Sequence, residues 1–328
     1  MGSFKALVVN KNDNDFTVDI KSLSLDDLPE GEVLIEVAYS SVNYKDGLAA
    51  IPNGKIVSTY PFVPGIDLAG TVVSSKDERF KEGDKVIATS YEIGVTHFGG
   101  FSEYARIPAK WIVPLPEGLT LKEAMTFGTA GFTAALSVQY LQDNGVKPED
   151  GPVLVSGSTG GVGSAAISML SKLGYEVVAS TGKESQHEYL KSIGAKEVIA
   201  REDLLPEKIR PLDSQRWAGA IDPVGGKTLA YILSTTKYGG TVAVSGLTGG
   251  ANVETTVFPF ILRGVKLIGV DSVYCPMPIR QKLWQRLASD LKPEKLDKIT
   301  REITLEELPQ ALKDILQGKL TGRTIVKF

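Results

Sequence analysis

The segment VLVSGSTGGVGSAAISMLSKLGYEVVASTGK, residues Val153 to Lys183, indicates the fold of the chain. It consists of a short apolar strand, a glycine-rich turn, an amphipathic helix and a second apolar strand. In this context Gly160 would let the backbone approach a pyrophosphate, and Gly163 would let the helix pack closely on the strand. The alternative is a glycine-rich turn with a purely structural role. We predict a βαβ unit that binds a dinucleotide through Ser158, Thr159, Gly160, Gly161, Val162 and Gly163.

The end of the second strand distinguishes between the two nicotinamide cofactors. An NAD-binding chain normally places Asp or Glu there to accept hydrogen bonds from the ribose 2′-hydroxyl. This chain instead has hydroxyls and a cation, which suit a 2′-phosphate. Glu184 counts against this interpretation, and the two cations could simply be solvated surface charges. We predict NADPH rather than NADH, bound by Ser180, Thr181, Gly182, Lys183 and, after the next strand, Arg201.

Further along the chain, apolar runs of four to six residues alternate with helical segments up to about residue 277. This pattern is typical of strands buried on both faces of a parallel sheet. Within this region, GAIDPVGGKT (219–228) resembles a phosphate-binding Walker A loop, but Ile221 occupies the position of its first glycine. We therefore assign no phosphate-binding role to this segment.

The first 120 residues follow a different pattern, with short β-branched runs separated by proline and glycine. Thr120 and Glu123 form a predicted capping box at the start of a helix that Gly128 and Gly131 interrupt. The segment after residue 278 predicts two amphipathic helices, around 279–290 and 305–317, and a final strand, GRTIVKF.

Composition excludes several classes of function. The 36 basic and 39 acidic side chains give a net charge of −3, which argues against a nucleic-acid or anionic-membrane surface. One cysteine and two histidines cannot form a disulfide framework or a multi-thiolate metal site. No apolar run approaches the ~20 residues that cross a bilayer. We expect a cytoplasmic protein that binds a small molecule, with no metal.

Several segments together resemble a known family over nearly the full length. They are SVNYKDG, PGIDLAG, GDKV, GGFSEYARIP, TAGFTAAL, GSTGGVG and GRTIVKF. The chain resembles the medium-chain dehydrogenase/reductase superfamily, specifically its zinc-free quinone-oxidoreductase-like branch and the acryloyl-CoA reductase (YhdH/YhfP-like) subgroup. The resemblance implies an α/β fold: a doubly wound Rossmann sheet, 123–277, inserted in a β-rich GroES-like catalytic domain, 1–122 and 278–328. It also implies a homodimer that pairs through VKLIGVDSV.

The resemblance further implies chemistry without a metal. Zinc alcohol dehydrogenases of this superfamily have a cysteine where this chain has Asn43, and a His-Glu pair where it has Ile66 and Asp67. Without a Lewis acid, the substrate itself must stabilise the developing charge. We therefore predict hydride addition to the β-carbon of an α,β-unsaturated carbonyl or acyl-CoA. The alternatives are an NADPH:quinone oxidoreductase and a non-catalytic NADPH-binding sensor or structural protein.

The candidate catalytic residues are Asn43, Tyr44 and Asp67. The Asn43 amide could donate a hydrogen bond to the substrate carbonyl, although an Asx-turn at a strand end is the alternative. Tyr44 could contact the cofactor phosphates or the substrate, and Asp46 is expected to fix the loop by hydrogen bonding. The resemblance adds further cofactor contacts, of which the first two could equally be core residues: Leu247, Ile261, Ser272 and Arg323.

Overall fold

The computed structural model describes residues 2–12 and 15–328 and contains two compact units. Unit 1 comprises Met1–Thr129, Val273–Ala288 and Thr300–Phe328. Unit 2 comprises Ala130–Ser272 and Ser289–Ile299. The chain therefore leaves unit 1 after Thr129 to form most of unit 2, returns at Val273, and enters unit 2 a second time for the short segment Ser289–Ile299.

Unit 2 is built on a six-stranded sheet in which every neighbouring pair of strands is parallel. Its strand order is β10-β9-β8-β11-β12-β13, which confirms the predicted doubly wound α/β fold. The strands are β8 Val153–Val155, β9 Val177–Thr181, β10 Glu197–Ala200, β11 Trp217–Asp222, β12 Thr236–Val244 and β13 Lys266–Gly269.

The central strands of this sheet are buried along their whole length, because helices follow them on both faces. No residue of β8, β9 or β11 is exposed or half-buried. Leu154, Val178, Ala220 and Val242, one from each of four adjacent strands, belong to a single apolar core. The helices of this unit are α3 Gly161–Lys172, α4 His187–Ser192, α5 Gly226–Thr235 and α6 Phe258–Arg263.

Unit 1 contains a seven-stranded sheet and a separate hairpin of β1 Phe4–Asn12 with β2 Asp15–Leu23. The sheet has the order β14-β15-β3-β4-β5-β7, with one further strand, β6, paired to β3. Its strands are β3 Val33–Ser41, β4 Asp67–Ser75, β5 Lys85–Thr89, β6 Tyr104–Ile107, β7 Ile112–Pro114, β14 Thr300–Ile303 and β15 Arg323–Lys327. All pairs are antiparallel except β14 with β15.

Three helices complete unit 1, and a fourth begins in it. They are α1 Tyr44–Ala49, α7 Met277–Leu287, α8 Leu308–Leu316 and, running on into unit 2, α2 Leu121–Asp143. The predicted capping box at the start of α2 is confirmed, because the Thr120 N–H donates to Glu123 (2.9 Å) and the Glu123 N–H donates to Thr120 Oγ1 (3.2 Å).

Gly128 interrupts α2, as predicted, whereas Gly131 does not. Gly128 has φ +50° and ψ −156°, a conformation reserved for glycine. A Cβ atom at this position would also lie 2.5 Å from Ser41 Oγ and 2.6 Å from Asp67 Oδ2. The break therefore lets the backbone of α2 approach polar side chains of β3 and β4.

The observed units differ from the predicted boundaries. The first boundary lies at 129/130 rather than 122/123, because the start of α2 packs with unit 1 as far as the Gly128 break. The second lies at 272/273 rather than 277/278. Residues 289–299 belong to unit 2, where Lys172 Nζ donates to the carbonyls of Ser289 (3.1 Å) and Lys292 (2.5 Å). A lysine contact of this kind leaves no signal in an amphipathic pattern.

Within residues 2–12 and 15–328, no helix is both long enough and apolar enough to span a membrane.

Candidate active site

The glycine-rich turn joins β8 to α3, and hydrogen bonds of the Ser158 side chain anchor it. This side chain is fully buried; its Oγ donates to the Val155 carbonyl (2.7 Å) and accepts from the Ser180 N–H (2.9 Å). Ser158 therefore ties the end of β8 to the end of β9. The departure from a glycine at this position has a structural reason, and the preceding Gly157 supplies the left-handed φ of +54°.

The two glycines that follow serve different purposes. A Cβ at Gly163 would lie 2.5 Å from the Gly157 carbonyl oxygen and 2.7 Å from Ser158 Cα, so glycine there permits close packing of helix on strand. Gly160 is exposed at the N-terminus of α3, and among the described residues only the Gly157 carbonyl, at 3.3 Å, lies near such a Cβ. Open space above Gly160 fits a pyrophosphate approaching the helix N-terminus.

The residues predicted to bind the 2′-phosphate lie together at the end of β9. Ser180 and Thr181 are buried, and Thr181 Oγ1 accepts from the Lys183 N–H (3.0 Å). The Arg201 guanidinium packs on Gly182, where a Cβ would lie 3.0 Å from Arg201 Cζ. Two cations therefore flank an exposed glycine, and the guanidinium of Arg201 lies against it.

Unit 1 holds a buried polar cluster centred on Asp67, the first residue of β4. The Asp67 carboxylate has no exposed surface and accepts four hydrogen bonds. Oδ2 accepts from Ser41 Oγ (2.6 Å), Asn43 Nδ2 (2.7 Å) and the Thr129 N–H (2.9 Å). Oδ1 accepts from Thr129 Oγ1 (2.5 Å). The two predicted residues Asn43 and Asp67 are thus in direct contact.

Asn43 precedes α1 and is 8% exposed. Its backbone N–H donates to Asp46 Oδ2 (2.8 Å), which is the loop-fixing role expected of Asp46. Besides its bond to Asp67, Asn43 Nδ2 donates to the Ser41 carbonyl at 3.3 Å. Both amide hydrogens therefore have acceptors, and a substrate carbonyl would have to replace the longer of the two bonds.

Arg323, predicted to contact the cofactor, lies in this cluster with 2% of its surface exposed. Nε donates to the Thr126 carbonyl (2.9 Å), Nη1 to the Val42 carbonyl (3.2 Å), and Nη2 to Ser41 Oγ (2.8 Å). Nη2 also lies 3.9 Å from Asp67 Oδ2. Each of the three guanidinium nitrogens of Arg323 therefore donates to an acceptor in unit 1.

Asp46 has the most perturbed carboxyl group of the cluster. Burial and the neighbouring Asp67 raise the pKa of Asp46 to about 7, against the lowering effect of N–H donors from Asn43 and Ile66. Burial likewise lowers the pKa of Arg323, although Asp67 and Asp46 oppose this. Two carboxyl groups thus share one buried guanidinium, and the surplus negative charge is relieved by a proton on Asp46 near neutral pH.

The remaining predicted residues are scattered. Tyr44 is 49% exposed on the first turn of α1. Leu247, in the loop after β12, is 66% exposed, and Ile261 on α6 is 68% exposed, so neither is a core residue. Ser272 is buried, and its Oγ accepts from Thr133 Oγ1 (2.8 Å).

Sequence reasoning missed Ser41, Thr129 and Ser90. Thr129 follows the Gly128 break, and its Oγ1 lies 3.0 Å from Ser90 Oγ. Ser90 and Tyr91, just after β5, both have left-handed backbones, with φ of +66° and +49°. A signal was available for two of them, because Ser41 is the first residue of SVNYKDG and Thr129 is the first residue of TAGFTAAL. Within the described ranges, no group of three or more His, Cys, Asp or Glu side chains could hold a metal ion.

Comparisons with known proteins agree with this geometry. Residues 29–117 match the alcohol dehydrogenase GroES-like domain and residues 161–289 match the zinc-binding dehydrogenase domain. The chain therefore belongs to the medium-chain dehydrogenase/reductase superfamily.

Within that superfamily, the chain belongs with a group of close, full-length relatives. YhfP of Bacillus subtilis, provisionally named a quinone oxidoreductase, is 61% identical over 99% of each chain. Its crystal structure with NAD bound has a TM-score of 0.98 and covers both chains fully. Acrylyl-CoA reductase AcuI of Ruegeria pomeroyi is 51% identical over 98% of each chain. The YhdH oxidoreductase of Salmonella enterica, solved in complex with NADP, is 47% identical over 99% of each chain, with a TM-score of 0.96.

Proposed function

We propose that this protein is an NADPH-dependent reductase of activated carbon–carbon double bonds, acting on an α,β-unsaturated acyl thioester such as acryloyl-CoA. The observation that carries the proposal is the buried amide of Asn43, oriented by Asp67 at the position where related zinc enzymes have a cysteine ligand. A neutral hydrogen-bond donor suits a substrate whose own conjugated carbonyl takes up the charge. AcuI, named as an acrylyl-CoA reductase, supports this substrate class.

The residues at the ends of β8, β9 and β10 fit NADPH. The exposed Gly160 and the N-terminus of α3 suit the pyrophosphate, and Lys183 with Arg201 suits the 2′-phosphate. Bound NADPH supplies the hydride that adds to the β-carbon of the alkene. The NADP complex of YhdH supports NADPH as the cofactor. The NAD complex of YhfP supports NADH instead, so the cofactor preference of this chain is to be measured directly.

The polar cluster of unit 1 would stabilise the negative charge that hydride addition places on the carbonyl oxygen. Asn43 Nδ2 exchanges its 3.3 Å bond to the Ser41 carbonyl for one to the substrate oxygen, while the 2.7 Å bond to Asp67 keeps the amide oriented. A proton must then reach the α-carbon to complete the reduction. One hydride and one proton together convert the alkene to the saturated acyl group.

The test of this function is the oxidation of NADPH, followed by its absorbance, with a panel of acceptors. We expect acryloyl-CoA to be reduced with the highest kcat/KM, ahead of crotonyl-CoA, free enones and quinones. A clear preference for quinones would favour the second candidate, a quinone oxidoreductase, which the provisional name of YhfP supports. NADPH binding without turnover of any acceptor would indicate a non-catalytic sensor or structural protein.

Cofactor preference is tested with Lys183→Asp. Because the 2′-phosphate needs a cation at the end of β9, we expect the Kd for NADPH to rise about tenfold or more, with little change for NADH. Isothermal titration calorimetry measures both. Lys191→Asp, at an exposed lysine on α4, is the matched control and should leave both affinities unchanged. An equal loss of both cofactors by Lys183→Asp would contradict the assignment.

The role of Asn43 is tested with Asn43→Ala. We expect kcat to fall by about a hundredfold, because one donor to the developing oxyanion is lost, and the Kd for NADPH to change less than about twofold. Steady-state kinetics and cofactor titration measure the two effects. Lys45→Ala, at a half-buried neighbour on the same helix, controls for disturbance of α1. Unchanged turnover in a folded Asn43→Ala protein would falsify the electrophilic role.

We also propose a homodimer that forms through β13. This strand is the last of the parallel sheet and has no buried residue. Exposed apolar side chains lie in this strand and in the helix that precedes it in the chain: Leu267 in β13, and Val257, Phe258, Ile261 and Leu262 at α6. A second copy pairing along the strand would cover both the edge and this apolar surface.

A cytoplasmic location is part of the proposal, since NADPH and acyl-CoA thioesters are cytoplasmic metabolites.

A further inference from the structure

The GAIDPVGGKT segment, which is not a Walker A loop, contains a buried carboxylate that the proposed reaction does not use. Asp222 is the last residue of β11 and has no exposed surface. Burial raises the pKa of its carboxyl group, although hydrogen bonds from Ser156, Gly225 and Val224 oppose this. A buried carboxylate without a cation is costly, so its hydrogen bonds must provide the compensation.

Those hydrogen bonds connect the ends of three strands. Asp222 Oδ1 accepts a short bond from Ser156 Oγ, which follows β8 directly, and a 3.1 Å bond from the Val224 N–H. Oδ2 accepts from the Gly225 N–H at 2.9 Å. The Asp222 carbonyl accepts from the N–H of Ser245, which follows β12, at 3.0 Å. The carboxylate thus links the carboxyl end of β8 to the loop after β11, and the main-chain carbonyl of the same residue links β11 to β12.

The loop after β11 is in turn packed on the loop after β12. Gly226 has φ +57°, and a Cβ there would lie 2.5 Å from the Gly249 carbonyl oxygen. The Gly249 N–H donates to the Val224 carbonyl at 2.8 Å. A Cβ at Gly246 would lie 2.2 Å from the Pro223 carbonyl oxygen. These backbone contacts fix the position of the exposed Leu247 between them.

The strand order assigns this pair of loops to one half of a dinucleotide. The order reverses between β8 and β11, and ligands of such sheets bind outside the carboxyl ends of the strands at that point. The residues predicted to bind the adenosine half, 157–163 and 180–183, lie on the β8–β9 side of this point. The loops after β11 and β12 lie on the other side, where the nicotinamide half extends.

We propose that Asp222 is a positioning residue of the cofactor site: it holds the loops 223–226 and 245–250 in the arrangement that receives the nicotinamide half of NADPH. The proposal rests on the proposed function only for the identity of the cofactor. An amide at this position cannot replace the carboxylate, because in either orientation its NH2 group would face a backbone N–H, that of Val224 or that of Gly225.

The test compares the whole cofactor with its adenosine half. For Asp222→Asn we expect the Kd for NADPH to rise about tenfold or more, because bonds to a charged acceptor are lost. The Kd for 2′,5′-ADP should stay within about twofold, because the adenosine side is untouched. Isothermal titration calorimetry measures both ligands. An equal loss of both, or no loss of either, would overturn the proposal.

A second variant keeps the test valid if Asp222→Asn does not fold. Gly226→Ala disturbs the same loop from the outside, through the contact with Gly249, and should give the same selective loss of NADPH. Gly239→Ala is its control, since Gly239 has a similar φ of +74° but no neighbour within 4 Å of a Cβ. Failure of the wild-type protein to bind either ligand would overturn the proposed cofactor as well, whereas the variant outcomes bear on Asp222 alone.

Discussion

Asp46 and Asp67 lie in one buried cluster with a single guanidinium, that of Arg323. Each residue type was informative in the sequence: the asparagine, the two aspartates and the terminal arginine all belong to quoted motifs. The contacts of these residues could not be predicted from the sequence, because Arg323 contacts Asn43 only when β15 pairs with β3. Sequence reasoning therefore predicts which residues are special here, while the tertiary structure decides what each of them contacts.

The raised pKa of Asp46 predicts how stability depends on pH. Its folded pKa of about 7 lies above the ordinary aspartate value of 3.8, so the folded state holds a proton that the unfolded state releases. This stabilising contribution is complete below pH 3.8 and is lost as the pH rises towards 7, by on the order of a few kcal/mol. Asp46→Asn should remove this slope, which urea unfolding between pH 5 and 8 measures.

Asp77→Asn is the control for that experiment. The Asp77 side chain is hydrogen-bonded to Arg79, which lowers the pKa of Asp77 to about 2, outside the measured window. The Asp77 variant should therefore keep the slope of the wild-type protein. Identical pH profiles for wild type and Asp46→Asn would show that Asp46 titrates normally.

The β8–α3–β9 unit was the element that the sequence predicted most fully. Its strands are continuous apolar runs, and its turn carries glycines whose separate reasons the structure makes visible. The strands of unit 1 were predicted only as a β-rich region, because their neighbours along the sheet are distant in sequence. β15, for example, pairs with β14 and β3. Local patterns contain no information about such long-range pairing.

Substitution by alanine should affect thermal stability differently at the two glycines of the turn, Gly163 and Gly160. Gly163→Ala places a Cβ against the Gly157 carbonyl and Ser158, so we expect a lower thermal unfolding midpoint together with weaker NADPH binding. Gly160→Ala meets little protein and should keep the wild-type midpoint while NADPH binding falls by about tenfold. Differential scanning fluorimetry and calorimetry separate the two effects. Equal midpoints for both variants would contradict the packing role of Gly163.

At the scale of the whole molecule, the sequence predicted an inserted Rossmann domain and a discontinuous β-rich domain, and the fold confirms both. The boundaries differ because they depend on single contacts, the Gly128 break and the bonds of Lys172, rather than on pattern. The proposed dimer also belongs to this scale, since it depends on an edge strand and the apolar surface beside it.

Ile261→Asp tests the dimer. The Ile261 side chain is 68% exposed on α6, so a carboxylate there should not harm the isolated fold but would be buried in the proposed interface. We expect the molar mass measured by light scattering to fall from that of a dimer to that of a monomer. Leu205→Asp, at a 40% exposed leucine elsewhere in unit 2, should leave the mass unchanged. A monomeric wild-type protein would refute the dimer directly.

The location of Arg323 on β15 has a consequence for the order of events during synthesis. The ribosome makes Ser41, Asn43, Asp46 and Asp67 early, and makes Arg323 after every other member of the cluster. Until that arginine emerges, two carboxyl groups of the growing chain lack the only cation that their buried cluster contains within the described residues. The polar cluster is therefore completed only late, when β15 enters the sheet between β14 and β3.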